Sequence, residues 1–585
     1  MAVNGTKIRR SLSTSVESII TKWDVAPATE TSQAPDNSSF FKSIFYENRD
    51  DARLFLDAVS DLNSPLSSSD HSLTRRLLDT AAKRLQKEFY HILSTSRLRN
   101  REGDDDDGDG SNGGSEFSDY GDENHEHDRS GVDYSYYKED VRYVIQSLGE
   151  EDRLPAVVAM ADLKAIAESM ASTGNTKECV NIYRTIRKSI VEQGMYNLGF
   201  KRFSQSHLRK LKSESISQLV DSWVAGSNSA IKALFSGERI LCEYIFGNFS
   251  LQVKESCFAD ITIDSAFLFL QFPELIAATK RSGQNIYQLL QLYKSISELS
   301  PDIQSIFSYE STTTVRSQAA RSYHNLADSI RALTWDLESS IEKHKFKGTD
   351  GVGGLDPLTV QTMNHLVRLS EYNTELSTIF TEESISSLIT RLLLVLLCKI
   401  DTKSEKYKNV GLSYIFMANN VHYMKSLVME SDLAELVGDK WVVTQEKKVK
   451  LFTESYVKHG WRRVAESLAE EDLSKFNSEF LDAYRLQKNW VVNDQGRMRQ
   501  QILAVVKKKV LIPYSVLYKK RTVDEDSHYD VVRFHPDDVD EYIEALLCGT
   551  VGKSKSKSST GFGSKSGSSS KSAKAGWSGW RFLPG

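Results

Sequence analysis

The densest chemistry-bearing stretch runs from Gln495 to Arg521, QGRMRQQILAVVKKKVLIPYSVLYKKR. Residues 495–523 hold eight bases and no acid: Arg497, Arg499, Lys507, Lys508, Lys509, Lys519, Lys520 and Arg521. A helix here gathers Met498, Ile502, Val505 and Val506 on one face at about 100° per residue. Arg497, Lys507 and Lys508 then point the opposite way, with Arg499 at the border. Lys509 falls inside the apolar stripe, so it must snorkel or the helix must distort before Pro513. Bases near a helix C-terminus favour the macrodipole, which accounts for two or three of them. Eight with no acid ask for an anionic partner: a lipid surface, an acidic protein or nucleic acid. Only Tyr514 and Tyr518 are placed for base stacking, and no helix-turn-helix or zinc pattern is present. An anionic membrane leaflet fits better, because each base near such a surface contributes about 1 kcal/mol.

Other chemistry is poorly supplied. Gly348, Gly351, Gly353 and Gly354 resemble a phosphate loop only loosely, because a dinucleotide loop follows a strand and this one follows a helical pattern. They read as a linker turn. His125 and His127 bracket Glu126, but in an acidic segment without a rigid frame for a metal. The Asp104–Asp107 run lies in the same segment and lacks the fixed oxygen geometry that magnesium needs. No G-x-S-x-G elbow or H-E-x-x-H pair occurs. The expectation is a non-enzymatic protein with no metal and no cofactor.

The elements that would position the basic stretch are helical. The chain has 585 residues and only 10 prolines, with none between Pro155 and Pro273 or between Pro357 and Pro513. Such stretches suit helices and argue against a β-sandwich. Five scattered cysteines suggest free thiols in a reducing compartment. The N-terminus shows no apolar signal, residue 2 is Ala2, and the apolar run Leu392–Cys398 is too short for a membrane span.

Charge is sorted along the chain. Net charge is −5, yet residues 100–133 hold 13 acids and two bases, and the tail 552–585 holds seven bases and no acid. Both segments read as disordered. Val16, Ile19, Ile20 and Trp23 suit a short amphipathic helix that needs a partner. Leu73, Leu77, Ala81, Leu85, Phe89 and Leu93 mark a long helix from Asp70 to Arg97, and Cys179, Tyr183, Ile186 and Ile190 mark another. Later helices are expected near 381–399, 407–435, 440–468, 473–490, 496–511 and 537–548. Tyr529–Phe534 is the one stretch with strand-like alternation.

Tyr414-Ile-Phe-Met-Ala-Asn419-Asn420-Val-His-Tyr423 resembles the Y-L-F-L-M-N-N-V-H-Y signature of the exocyst seventy-kilodalton subunit family. Gly438-Asp-Lys-Trp441, Phe452-Thr-Glu-Ser-Tyr456, Trp461, Phe476, Phe480, Gln487 and Trp490 follow in that family's order. The likeness spans about 175–550, more weakly 40–170, and is nearest in style to plant members. It implies an all-α, elongated rod of consecutively stacked helical bundles. The expected divisions are a flexible 1–38 with a short amphipathic helix, a bundle over 39–174, middle bundles over 175–400, a C-terminal bundle over 401–550 and a tail over 551–585. The resemblance implies a subunit that helps tether secretory vesicles at the cytosolic face of the plasma membrane. Its implied partners are other exocyst subunits, a small GTPase and phosphatidylinositol 4,5-bisphosphate. That lipid would fall on Arg497, Arg499 and Lys507–Lys509, with Lys519–Arg521 adjacent. Residues 11–24 match the family's subunit-pairing helix by pattern alone. A soluble helical adaptor that docks acidic proteins, as in defence or autophagy-related trafficking, is the alternative reading.

Overall fold

The computed structural model describes residues 15–23, 42–64, 71–95, 150–279, 286–523 and 533–549. The acidic segment 100–133, the tail 551–585 and residues 529–532 of the strand candidate lie outside them. Arg533 and Phe534 take no regular structure. The described chain is all-α. It has no strand, only an isolated bridge between Val491 and Cys548. No described helix is long and apolar enough to cross a membrane.

The described residues fall into two compact units. One runs to His344 and adds Asn364–Leu396 and Asp432–Val437. The other holds Lys345–Met363, Leu397–Ser431 and the described residues from Gly438 onward.

The first unit opens with a short helix, α1, over 15–22. Ile20 is buried, Lys22 pairs with Asp51 at 2.8 Å, and the Arg84 guanidinium lies 5.6 Å from the Trp23 ring centre. The amphipathic stretch therefore finds partners within the chain, on α2 (Arg49–Asn63) and α3 (His71–Thr95). Asn48 caps α2 by accepting from the amides of Asp50 and Asp51. On α3, Leu77, Ala81, Leu85, Phe89 and Leu93 are buried at the expected i+4 spacing. After α4 (Glu150–Ser172), helix α5 (Thr176–Asn197) departs from its apolar pattern. Ile186 and Ile190 are only half-buried, and Arg187 takes a core position instead. Glu238 makes this possible: it pairs with Arg187 at 2.7 Å and accepts the Tyr183 hydroxyl at 2.9 Å. Burying that charge alone would cost several kcal/mol.

A π-helical turn, Ser229–Phe235, joins α6 (Ser213–Asn228) to α7 (Ser236–Ile245). The unit continues through α8 (Leu251–Ala277), α9 (Ile286–Ile306) and α10 (Thr313–Lys343). Its aromatic core includes Trp223, stacked on Phe269 at 4.8 Å. Helices α11 (Pro357–Ser370) and α12 (Ile385–Ser404) contribute residues to both units.

The second unit is organised by α13 (Val410–Met429), which carries the Asn-Asn pair. The Asn419 amide donates to Gly353 O and Val491 O, each at 2.7 Å, and its oxygen accepts from the Asn493 amide at 2.9 Å. Asn420 donates to Gly354 O at 3.2 Å and accepts from the Asp356 amide at 2.9 Å. Both are buried. The glycine-rich loop is thus structural. Its Gly353 and Gly354 amides point at Asp350, at 3.0 and 3.1 Å, where a phosphate would otherwise compete. Gly353 needs its positive φ of 76°, and a side chain there would strike Leu412.

Helices α14 (Asp439–Gly460) and α15 (Arg462–Ala469) replace the single helix expected over 440–468. The break falls where Trp461 turns fully into the core and donates to the Tyr456 hydroxyl at 3.3 Å. Then come α16 (Leu473–Gln487), α17 (Arg497–Lys509), α18 (Leu511–Val523) and α19 (Pro536–Glu544). The sequence pattern does not separate α18 as a helix of its own. Pro513 sits in its first turn, where a missing N–H costs no intrahelical bond.

Replacing Asn420 with Ala strips partners from the half-buried Gly354 carbonyl and the buried Asp356 amide. It should cost about 1–3 kcal/mol, read as a lower midpoint for the second unit in denaturant unfolding.

Candidate functional site

The eight bases lie on α17 and α18, and the structure divides them. Arg499 is buried, and its guanidinium donates to the Leu546 carbonyl at 3.0 Å and to the Glu544 carbonyl. It thereby caps the end of α19. Lys507 pairs with Asp540 and Glu544 of α19, both at 2.6 Å. Lys520 pairs with Glu471 at 2.7 Å, and Arg521 donates to the Glu471 carbonyl at 3.3 Å. Glu471 sits at φ 53°, so these two bases clamp the strained turn between α15 and α16. Arg497, Lys508 and Lys519 are exposed, and no carboxylate among the described residues lies within salt-bridge distance of them.

Lys509 behaves as the apolar stripe requires. Its stem is half-buried and its Nζ reaches back to the Val457 carbonyl of α14 at 3.3 Å. Burial lowers its pKa, and the neighbouring Lys458 adds to the shift. Val510 then separates the two helices.

The N-terminus of α17 is fixed by Asp494. Its carboxylate accepts from the Gly496 and Arg497 amides at 3.1 Å each and from Met498 at 3.0 Å. Burial would raise its pKa, but the backbone bonds and His422 hold it below the usual carboxylate range. His422 Nε2 stands 3.5 Å from Asp494. Burial, then Lys425 and more weakly Arg497, lower the His422 pKa against the pull of Asp494 and Glu446.

Beside α17 runs α14, which a linear charge count passes over. Glu446 of α14 is held low first by its hydrogen bond from Lys425, with Arg497 contributing. Arg497 thus lies near Glu446 at one end, and Lys509 meets Val457 at the other. The two helices are therefore parallel and nearly in step. Among the described residues no group of three or more His, Cys, Asp or Glu side chains could hold a metal ion.

Two family profiles match the chain. The C-terminal profile of the Exo70 exocyst complex subunit matches residues 221–545, and the N-terminal profile of the exocyst complex component Exo70 matches 13–95. The chain belongs to the Exo70 family of exocyst subunits. It is 26% identical over 529 residues to exocyst complex component EXO70A1 of Arabidopsis thaliana, covering 81% of this chain and 79% of the relative. It is 27% identical over 386 residues to EXO70B1 of the same plant, covering 62% and 61%. Against the crystal structure of the S. cerevisiae exocyst component Exo70p it shows 13% identity and a TM-score of 0.49, covering 86% of this chain and 97% of that one. The Exo70 C-terminal match takes in the Asn-Asn helix and all eight candidate bases.

Two predictions separate these roles. Arg499→Ala removes the guanidinium from the buried Leu546 carbonyl and the part-buried Glu544 carbonyl and should cost about 1–3 kcal/mol in denaturant unfolding, while Lys508→Ala should stay within about 0.5 kcal/mol. The depressed His422 pKa means the native state binds fewer protons than the unfolded chain just below the ordinary histidine pKa of about 6.5. Its contribution to stability is complete above that pH and is lost as pH falls. The melting temperature of His422→Gln should therefore decline less than that of the parent between pH 7 and pH 5.

Proposed function

We propose that this Exo70-family chain is a non-enzymatic exocyst subunit that helps dock secretory vesicles at the plasma membrane. In this reading its C-terminal unit binds phosphatidylinositol 4,5-bisphosphate at the cytosolic face, and other surfaces bind other exocyst subunits and a small GTPase. The observation that carries the lipid part is the outward, unpaired set Arg497, Lys508 and Lys519 on adjoining helices. The five remaining bases from the sequence analysis support the surface by fixing α17, α18 and α19. Family membership supports the exocyst part, since the matched profiles are those of an exocyst component.

Vesicle sedimentation tests the lipid part. Phosphatidylcholine vesicles with phosphatidylserine and phosphatidylinositol 4,5-bisphosphate should pull down the protein, and phosphatidylcholine alone should not. Changing Arg497, Lys508 and Lys519 together to Ala removes about 3 kcal/mol of attraction at most, less after salt screening. Binding should weaken roughly tenfold or more. No sedimentation with the anionic vesicles would overturn the lipid part. Affinity purification from the source tissue should bring down the other exocyst subunits, and their absence would favour the adaptor reading.

A further inference from the structure

We propose that the exposed face of α14 is the main membrane-contacting surface of the second unit, with α17 as its cationic flank. This rests on the lipid reading above and assigns it to different residues. Lys440, Val443, Lys447, Leu451, Glu454 and Lys458 follow one another at three- and four-residue steps, so they share one face of α14. All six are exposed, Leu451 at 58% and Val443 at 52%. The opposite face, with Gln445, Val449 and Tyr456, is buried. No carboxylate among the described residues lies within salt-bridge distance of Lys440, Lys447, Lys450 or Lys458. The three lysines of the face itself, Lys440, Lys447 and Lys458, meet one acid, Glu454. Lys450 lies between this face and α17, where Arg497, Lys508 and the 44% exposed Val505 continue the surface.

Three features select a lipid surface as the occupant. The lysines are free, whereas most of the bases on α17 and α18 are engaged by protein groups. Bare aliphatic side chains alternate with the lysines, as in helices that lie in the headgroup plane. The face is also long: the rise from Lys440 to Lys458 is about 27 Å, which suits a plane better than a single headgroup pocket. None of the six residues of this face is an aromatic on which a nucleic acid base could stack.

The experiment uses the full chain with Cys398→Ser and Cys548→Ser, because those two thiols are exposed and the other three are buried. Leu451→Cys in that background is labelled with an environment-sensitive fluorophore. Vesicles of phosphatidylcholine, phosphatidylserine and phosphatidylinositol 4,5-bisphosphate should blue-shift its emission, and phosphatidylcholine alone should not. In unlabelled protein, Lys447→Ser with Lys450→Ser and Lys458→Ser should weaken sedimentation tenfold or more. Val443→Ser with Leu451→Ser should weaken it several-fold, with the same dependence on salt as the parent. These surface changes should leave helical content and melting temperature unchanged. If the parent sediments but the lysine variant sediments equally and the fluorophore is silent, this assignment is overturned and the lipid reading stands. If the parent does not sediment, the lipid reading fails and this assignment fails with it.

Discussion

Two adjacent amides on α13 grip two chain segments that are far apart in sequence. Neighbouring side chains on a helix diverge by about 100°, so Asn419 and Asn420 reach different targets. Asn420 and Asn419 together hold the 353–356 backbone, and Asn419 also holds 491–493. The second segment leads directly into Asp494, which sets the start of α17. Val492 and Gln495 also donate to the Leu547 carbonyl, tying in the end of α19. The orientation of the basic helices therefore traces back to one buried pair of side-chain amides. A buried amide stripped of its partners costs far more than one exposed pair contributes, so this grip is specific as well as stabilising.

Charge in the second unit serves two ends. Arg499, Lys507, Lys520 and Arg521 are consumed internally, capping α19 or bracing the Glu471 turn. A base held by two carboxylates presents little net field to a distant anion. The free bases lie on α14 and on the outward side of α17 and α18. The same arithmetic of pairing explains why a run of eight bases overstates the available charge, while a mixed segment understates it.

Much of the fold could be read from spacing alone. The stripe on α3 and the snorkelling of Lys509 follow from helical periodicity, which is a local property. The failures involve partners distant in sequence. Arg187 looks like a polar interruption of α5 until Glu238 is brought beside it. Asp540 and Glu544 lie more than thirty residues beyond Lys507, so linear charge counting could not pair them. The lysines of α14 are hidden in the sequence because Asp439, Glu446 and Glu454 dilute them along the chain, and only the helix sorts the signs onto different faces. The break at Trp461 depends on the cavity that receives the indole, which no local pattern encodes.

The half-buried Lys509 works as a cross-tie. Its Nζ donates to the Val457 carbonyl of α14 at 3.3 Å, so the last residue of α17 is bonded to the neighbouring helix. Burial and the nearby Lys458 lower its pKa, so the position is a poor one for a second charge. A side chain too short to span the two helices would leave the end of α17 without this bond.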